Sequence, residues 1–544
     1  RFIGSSVVPT VYTGDNTVTA PTDKQTQTHA THVVGIAAGA YNGVGTHYTS
    51  ATTDEGRIPF YGVAPKSDIA VCAGELYLTS ILSGVRRLIN YADEQGKPIV
   101  INLSLGSNHG PHDGSESDVR ALNELAEEAI ICIASGNEGS DNLHTGSTFT
   151  EAGSFKTLLS GELKGYIDAW SSTSSRFNVN VILVDKNSGE VVARMKSVPG
   201  SSVTVGTGNS SSDNSMFRQY CTGYMTLLSR LDSNKRYNVR MTANSMSVGS
   251  AYTSRYDLGI EVEFDEACRI DVYGNSSAVF KSSVFPGFLS PSNDGSVSGL
   301  ACGQNTICVG SFNTNNSWYD LDGVRRTYGS ASGLSNFSSW GNLLDGRSLP
   351  HVCAPGAMVV SSYSGPYTAA NFANESYFLT GKADFNGKTH YWAAQQGTSM
   401  ATPYVTGVVA LWLEANPDLT AAQVREVIAA TAVNQGESAA WGAGKIHASN
   451  GLKKVISDYP GNSGIADIET GVERPMIVTA VDGSTFDVTV AGADAVEAAL
   501  YSTTGAMVAS ASANGNNVTV SAPSATPGIY ILRANNHTAK VTVR

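Results

Sequence analysis

Gln396-Gly397-Thr398-Ser399-Met400-Ala401-Thr402-Pro403 runs directly into Tyr404-Val-Thr-Gly-Val-Val-Ala-Leu-Trp-Leu-Glu-Ala-Asn416. This stretch reads as a glycine turn opening a long apolar helix, expected over residues 399–415. Ser399 then stands in a first turn, where backbone N–H groups lack helical acceptors and the positive end of the dipole lies. Such a place suits a nucleophile whose product is an oxyanion. Pro403 fits an early helical position, where its missing N–H does little harm. A plain N-cap serine fits the same residues, and this stretch alone leaves both readings open.

Two upstream stretches have the same character. Thr28-His29-Ala30-Thr31-His32-Val33-Val34-Gly35 opens another apolar helix, and His is the natural general base near neutral pH. A single His is as readily structural. Ala134-Ser135-Gly136-Asn137-Glu138-Gly139 follows a buried strand. An amide there can donate to a tetrahedral oxyanion, or Asn137 can be an ordinary turn residue.

Around these stretches the chain alternates short apolar strands with amphipathic helices. PIVINLSLG (98–106) and AIICIASGN (129–137) are near-continuous buried strands, and 80–95 and VRALNELAEEA (119–129) have helical spacing. Strands buried on both faces and separated by helices predict a mainly parallel α/β sheet. The pattern breaks near 146. Period-two alternation in Phe177-Asn-Val-Asn-Val-Ile-Leu-Val, EVVARMK, RYNVRM, YDLGIEVEF and CRIDVYG predicts an inserted all-β sandwich over 146–300. The α/β style returns over 301–458 to complete the unit begun in 1–145. A Gly/Asn/Ser linker is expected at 459–471, then a small C-terminal β-sandwich at 472–544.

Composition narrows the classes. Of 544 residues 41% are hydrophobic, enough for large cores and too many for a disordered chain. Only 15% are charged, against roughly 25% in an average globular protein, which is common among exported proteins. The net charge of −12 offers nothing to nucleic acid or an anionic membrane. No run of eighteen apolar residues marks a membrane-spanning helix. Seven dispersed cysteines, with no C-x-x-C, argue against a disulfide scaffold or a structural zinc site. Cys72, Cys132 and Cys353 sit in apolar runs and are expected as buried free thiols, with a Cys302–Cys308 pair the less favoured alternative to free thiols there.

Taken together and in this order, the His, Asn and Ser stretches resemble the subtilisin-like serine proteases, the subtilases. The match to G-T-S-M-A-T-P is nearly complete, and the family's H-G-T-H-V-A-G stands here as H-A-T-H-V-V-G. GVAPKSDIAV, INLSLGS, SNFSSWG, CAPG and ANPDLTAAQVREVI resemble the family's supporting segments. The resemblance implies Ser399 as nucleophile, His29 as general base and Asn137 as oxyanion donor. It implies Ser104, Leu105 and Gly106 as the segment that pairs with an extended substrate. His32 matches a structural position.

The family's catalytic Asp lies further upstream of the His than this chain reaches. Asp15 and Asp23 are the upstream carboxylates, and neither follows a buried strand. The chain, starting at Arg1, is therefore expected to be a processed form or fragment, the Asp coming from a separate N-terminal segment. Leu163–Trp170 and Phe288–Asn313 resemble inserts of a subtilase subgroup that includes the clostridial Csp germination proteases. Ala499–Val508, Gly528–Arg533 and Ala539–Arg544 resemble the C-terminal sorting domain of Bacteroidota type IX secretion, implying an extracellular or outer-surface location. No cofactor is expected; calcium sites are frequent in the family, but no D-x-D-x-D-G loop is present. The expected function is a serine endopeptidase acting on protein or peptide. The alternatives are an inactive scaffold with a binding or regulatory role and a surface adhesin.

Overall fold

A computed structural model describes residues 2–3, 10–11, 27–48, 54–275, 278–460, 476–502, 505–535 and 537–543. The chain forms two compact units, Arg1–Gly464 and Ile465–Arg544. In the first, strands Val100–Leu103, Ile130–Ala134 and Ile307–Asn313 run parallel side by side, and Val352–Ala357 pairs parallel with the last of them. Gly333–Leu334 closes that end antiparallel.

The strands are largely apolar because both faces are covered. Ile130 and Cys132 point into a core with Val309 of the neighbouring strand and with Val405, Trp412, Val424 and Val455 of helices Thr398–Ala415, Ala421–Thr431 and Ala448–Asp458. Ile131 and Ile133 point the other way, against Val85, Ile89, Val119 and Leu122 of helices Leu78–Glu94 and Ser117–Leu125. The helix Ala421–Thr431 starts on a capping box between Thr420 and Gln423.

The far edge is less complete. Among the described residues Val100–Leu103 has a neighbour on one side only, and Cys72–Ala73 pairs parallel with Phe2–Ile3 in a separate small sheet. Cys72 is exposed, which corrects the expectation of a buried thiol. The other six cysteines are buried and free, Cys302 and Cys308 included.

Between Asn137 and the return at Ile307 stand two antiparallel sheets. One has six strands, with Leu163–Ser171 between Tyr237–Val248 and Cys268–Tyr273; the other has five, centred on Tyr256–Phe264. They share a core in which Phe177, Val179, Val181 and Leu183 alternate inward toward Ile167, Met225, Met241 and Ile270. Its first strand begins at His144. The strand Cys221–Leu231 and the helix Gly365–Glu375 were not foreseen.

The second unit has a three-stranded and a four-stranded antiparallel sheet around Phe486, Val488, Val496, Leu500, Val520 and Leu532. Most of the expected linker lies outside the described residues. No helix among the described residues is long and apolar enough to cross a membrane.

Candidate active site

Parallel strands deliver their C-terminal ends to one side of the sheet, where loops can converge. Val100–Leu103 ends in Ser104–Gly106, and Ile130–Ala134 ends in Ser135–Asn137. The helix Thr398–Ala415 crosses this end, starting from Gly397 at φ 145°, ψ 159°, a conformation open essentially to glycine alone. Gly397 rather than Ser399 occupies the N-cap, so the capping role that the sequence left open for Ser399 does not apply.

The first turn of this helix accounts for its own donors. Thr398 N–H donates to Asn137 Oδ1 at 2.8 Å. Met400 and Ala401 N–H both reach Gly397 O. Among the described residues Ser399 N–H is the donor left without an acceptor in that turn, and it sits beside its own hydroxyl.

Asn137 is oriented by the same contact. A backbone N–H can only donate, so the amide atom facing Thr398 is oxygen, and Thr398 Oγ1 donates to it as well at 3.0 Å. The Nδ2 hydrogens of Asn137 are thereby turned outward. Its backbone N–H is held by Glu138 Oε2 at 2.7 Å, and that carboxylate also accepts from Ser339 at 3.1 Å. Burial pushes the Glu138 carboxyl above its ordinary range, while these hydrogen bonds pull it back.

Ser104 touches the candidate nucleophile directly. Its hydroxyl donates to Ser399 O at 2.8 Å, and Ser399 Oγ points to Ser104 O at 3.4 Å. Ser104 Oγ in turn accepts from Asn102 at 3.1 Å. Ser104–Gly106 and Asn137 thus lie on either side of Ser399.

His29 begins the helix His29–Ala38, whose Val33 and Ile36 pack on Met400, next to Ser399. The two helices cross closely at Gly407, where a Cβ would lie 2.6 Å from Val63 and 2.9 Å from Ala37 O. Burial depresses the His29 pKa below 6.5, favouring the neutral, proton-accepting form. His32 is fully buried, its Nε2 3.0 Å from Ala393 O, and its backbone carbonyl accepts from Ser361. That is the structural role expected of it.

Asp15 and Asp23 lie outside the described residues. Among the described residues no group of three or more His, Cys, Asp or Glu is arranged to hold a metal ion. Thr398, Glu138 and Ser339 were given no role by sequence reasoning, although all three lie inside the quoted stretches, the one signal that could have raised them.

Residues 7–444 match the subtilase family, Peptidase_S8. Serine protease AprX of Bacillus subtilis (strain 168) is 29% identical over 130 residues, 23% of this chain and 24% of that protein. Subtilisin DY of Bacillus licheniformis is 36% identical over 114 residues, 21% of this chain and 30% of its own length. The matches therefore span less than a third of either relative. Among solved structures the Clostridium perfringens CspB protease is similar in fold, with a TM-score of 0.54 at 21% identity over 80% of this chain and 81% of that one. On a family match running through both halves of the parallel sheet, the chain belongs to the subtilase family of serine endopeptidases.

Proposed function

We propose that the protein is a secreted or surface-exposed endopeptidase that cuts protein and peptide chains through an acyl-enzyme on Ser399. The observation that carries this reading is the pair of donors beside Ser399: its own N–H and the outward-turned amide of Asn137. Ser399 Oγ attacks the peptide carbonyl and His29 takes its proton. The negative oxygen is met by those two donors. His29 then gives the proton to the departing amine, and water attacks the acyl-enzyme by the same route in reverse. The peptide lies extended along Ser104-Leu105-Gly106.

An imidazole base needs an acceptor on its second nitrogen to fix its tautomer and steady the developing charge. In this reading the carboxylate arrives on an extended N-terminal segment that pairs along the open side of Val100–Leu103. Residues 146–300 form an inserted β-sandwich, and the Ile465–Arg544 unit serves as a sorting domain for export.

Labelling with a fluorophosphonate, followed by mass mapping of the modified peptide, tests the nucleophile. Ser399 should carry the label and Ser399→Ala should carry none. Supplying a preceding Asp-bearing segment should raise kcat by on the order of 10⁴, the cost of lacking that carboxylate in this mechanism. A chain that takes no label with or without the segment would defeat the proposal in favour of a binding role.

A further inference from the structure

The loop leaving Gly106 is anchored to residues far along the chain. Ser298 Oγ accepts from Ser107 N–H at 2.8 Å and donates to Ser107 O at 3.0 Å. The Ser298 N–H donates to Ser135 O at 2.7 Å, so one buried residue ties the loops that follow Leu103 and Ala134 together.

Two residues further, the His109 ring lies flat on Tyr166 of the strand Leu163–Ser171, with centroids 3.9 Å apart and planes 16° from parallel. Arg240 of Tyr237–Val248 donates to His109 Nδ1 at 3.3 Å. The same guanidinium grips Asp168 through two hydrogen bonds of 2.8 and 2.6 Å, and Asp168 is fully buried. A guanidinium only donates, so Nδ1 accepts and the ring is neutral with its hydrogen on Nε2. A planar two-pronged pair around a buried carboxylate holds a single geometry. Tyr166 and Arg240 therefore present a stiff platform to the loop. Further along the loop, Arg236 meets Asp113 at 2.6 Å and Asn234 donates to Ser115 at 3.0 Å.

We infer that the two-sheet region between Asn137 and Ile307 positions the peptide: Tyr166 and Arg240, acting through His109, hold the loop behind Ser104–Gly106 in the course that an extended substrate strand requires. This rests on the reading of Ser104–Gly106 as the substrate-pairing segment. Both side chains are positioning residues and touch no reacting atom. Releasing the loop adds disorder that peptide binding must remove, so extended ligands lose affinity while attack on a small acylating group proceeds as before.

The test uses the full chain with His109→Ala and, separately, Tyr166→Leu, both of which leave the Arg240–Asp168 pair in place. Binding of fluorescein-labelled denatured casein is measured on a Ser399→Ala background, and fluorophosphonate labelling is timed with Ser399 present. Casein affinity should fall about tenfold in both variants at an unchanged labelling rate, and His109→Phe, which keeps a ring on Tyr166, should recover most of it. Unchanged casein affinity would overturn the inference. Equal losses of casein binding and labelling, with a lowered Tm, would overturn it in favour of a merely structural contact. Casein binding that depends on His109 in a chain whose Ser399 takes no label would uphold this inference and count against the peptidase reading alone.

Discussion

Thr398 sets the aim of Asn137, and the two can be separated by mutation. Asn137→Ala removes the proposed oxyanion donor and should lower kcat by roughly 10²–10³ with little change in KM. Thr398→Val keeps the backbone N–H on Asn137 Oδ1 and removes the hydroxyl, which also meets Gly136 N–H at 3.3 Å and Gly136 O at 3.1 Å, so a loss of at least about tenfold is expected. A Thr398→Val enzyme with full kcat would show the hydroxyl to be dispensable. Burial lowers the His29 pKa, so the base is neutral at pH 7 and gains its proton only below 6.5. In the chain without an added Asp-bearing segment the acid limb of kcat/KM should accordingly fall below pH 6.5, and the carboxylate of that segment should raise it; a limb already above 6.5 in the chain alone would contradict the effect of burial. Cys72 is exposed while the other six thiols are buried. Native protein should thus release one equivalent of thionitrobenzoate from Ellman's reagent, and the remaining thiols should react only on unfolding.

Helices and strands were legible where burial enforces a period. The helix expected over 399–415 spans Thr398–Ala415. The strand Ile130–Ala134 was evident as an apolar run, but a run with every side chain buried cannot say which residues face which layer. Cys221–Leu231 escaped notice because its inward face includes the polar Ser229, its outward face the apolar Leu228, and a glycine breaks its alternation. Gly365–Glu375 buries only Thr368 and carries a non-helical Asn371, so it presents no apolar stripe to read. Ser399, Asn137 and His29 stood out because each begins or follows a strongly apolar element. The grip of Thr398 on Asn137, the Ser298 tie and the His109 platform join residues 261, 191 and 131 positions apart, which no local pattern encodes. The close helix crossing at Gly407 carries its own prediction. Gly407→Ala forces a Cβ against Val63 and Ala37 and should cost about 1–3 kcal/mol in stability. Urea unfolding gives the energy, and activity under native conditions should fall further than stability because the same two helices carry Met400 against Val33 and Ile36, next to the proposed nucleophile and base.

At the scale of the whole Arg1–Gly464 unit, three histidines whose pKa burial depresses make stability depend on pH. Burial lowers His32 and His112 to about 4 and His351 to about 3. Each is neutral in the folded chain, whereas the unfolded chain takes up its proton near 6.5. Between those values the unfolded state binds more protons, so stability is fully present above 6.5 and declines as pH falls toward 4. Each contributes on the order of 3 kcal/mol across that window. The urea midpoint should drop steeply between pH 7 and pH 4.5, and a flat midpoint would rule this origin out.

The bond from Thr398 to Asn137 spans 261 residues, and that from Ser104 to Ser399 spans 295. Translation proceeds from the N-terminus, so His29 and Asn137 leave the ribosome long before the helix that completes the groove. Every strand of the two-sheet region emerges in that interval. On the proposed reading, the order of synthesis delays peptidase competence, and a nascent chain poses no cutting hazard to its neighbours until Thr398–Ala415 has appeared.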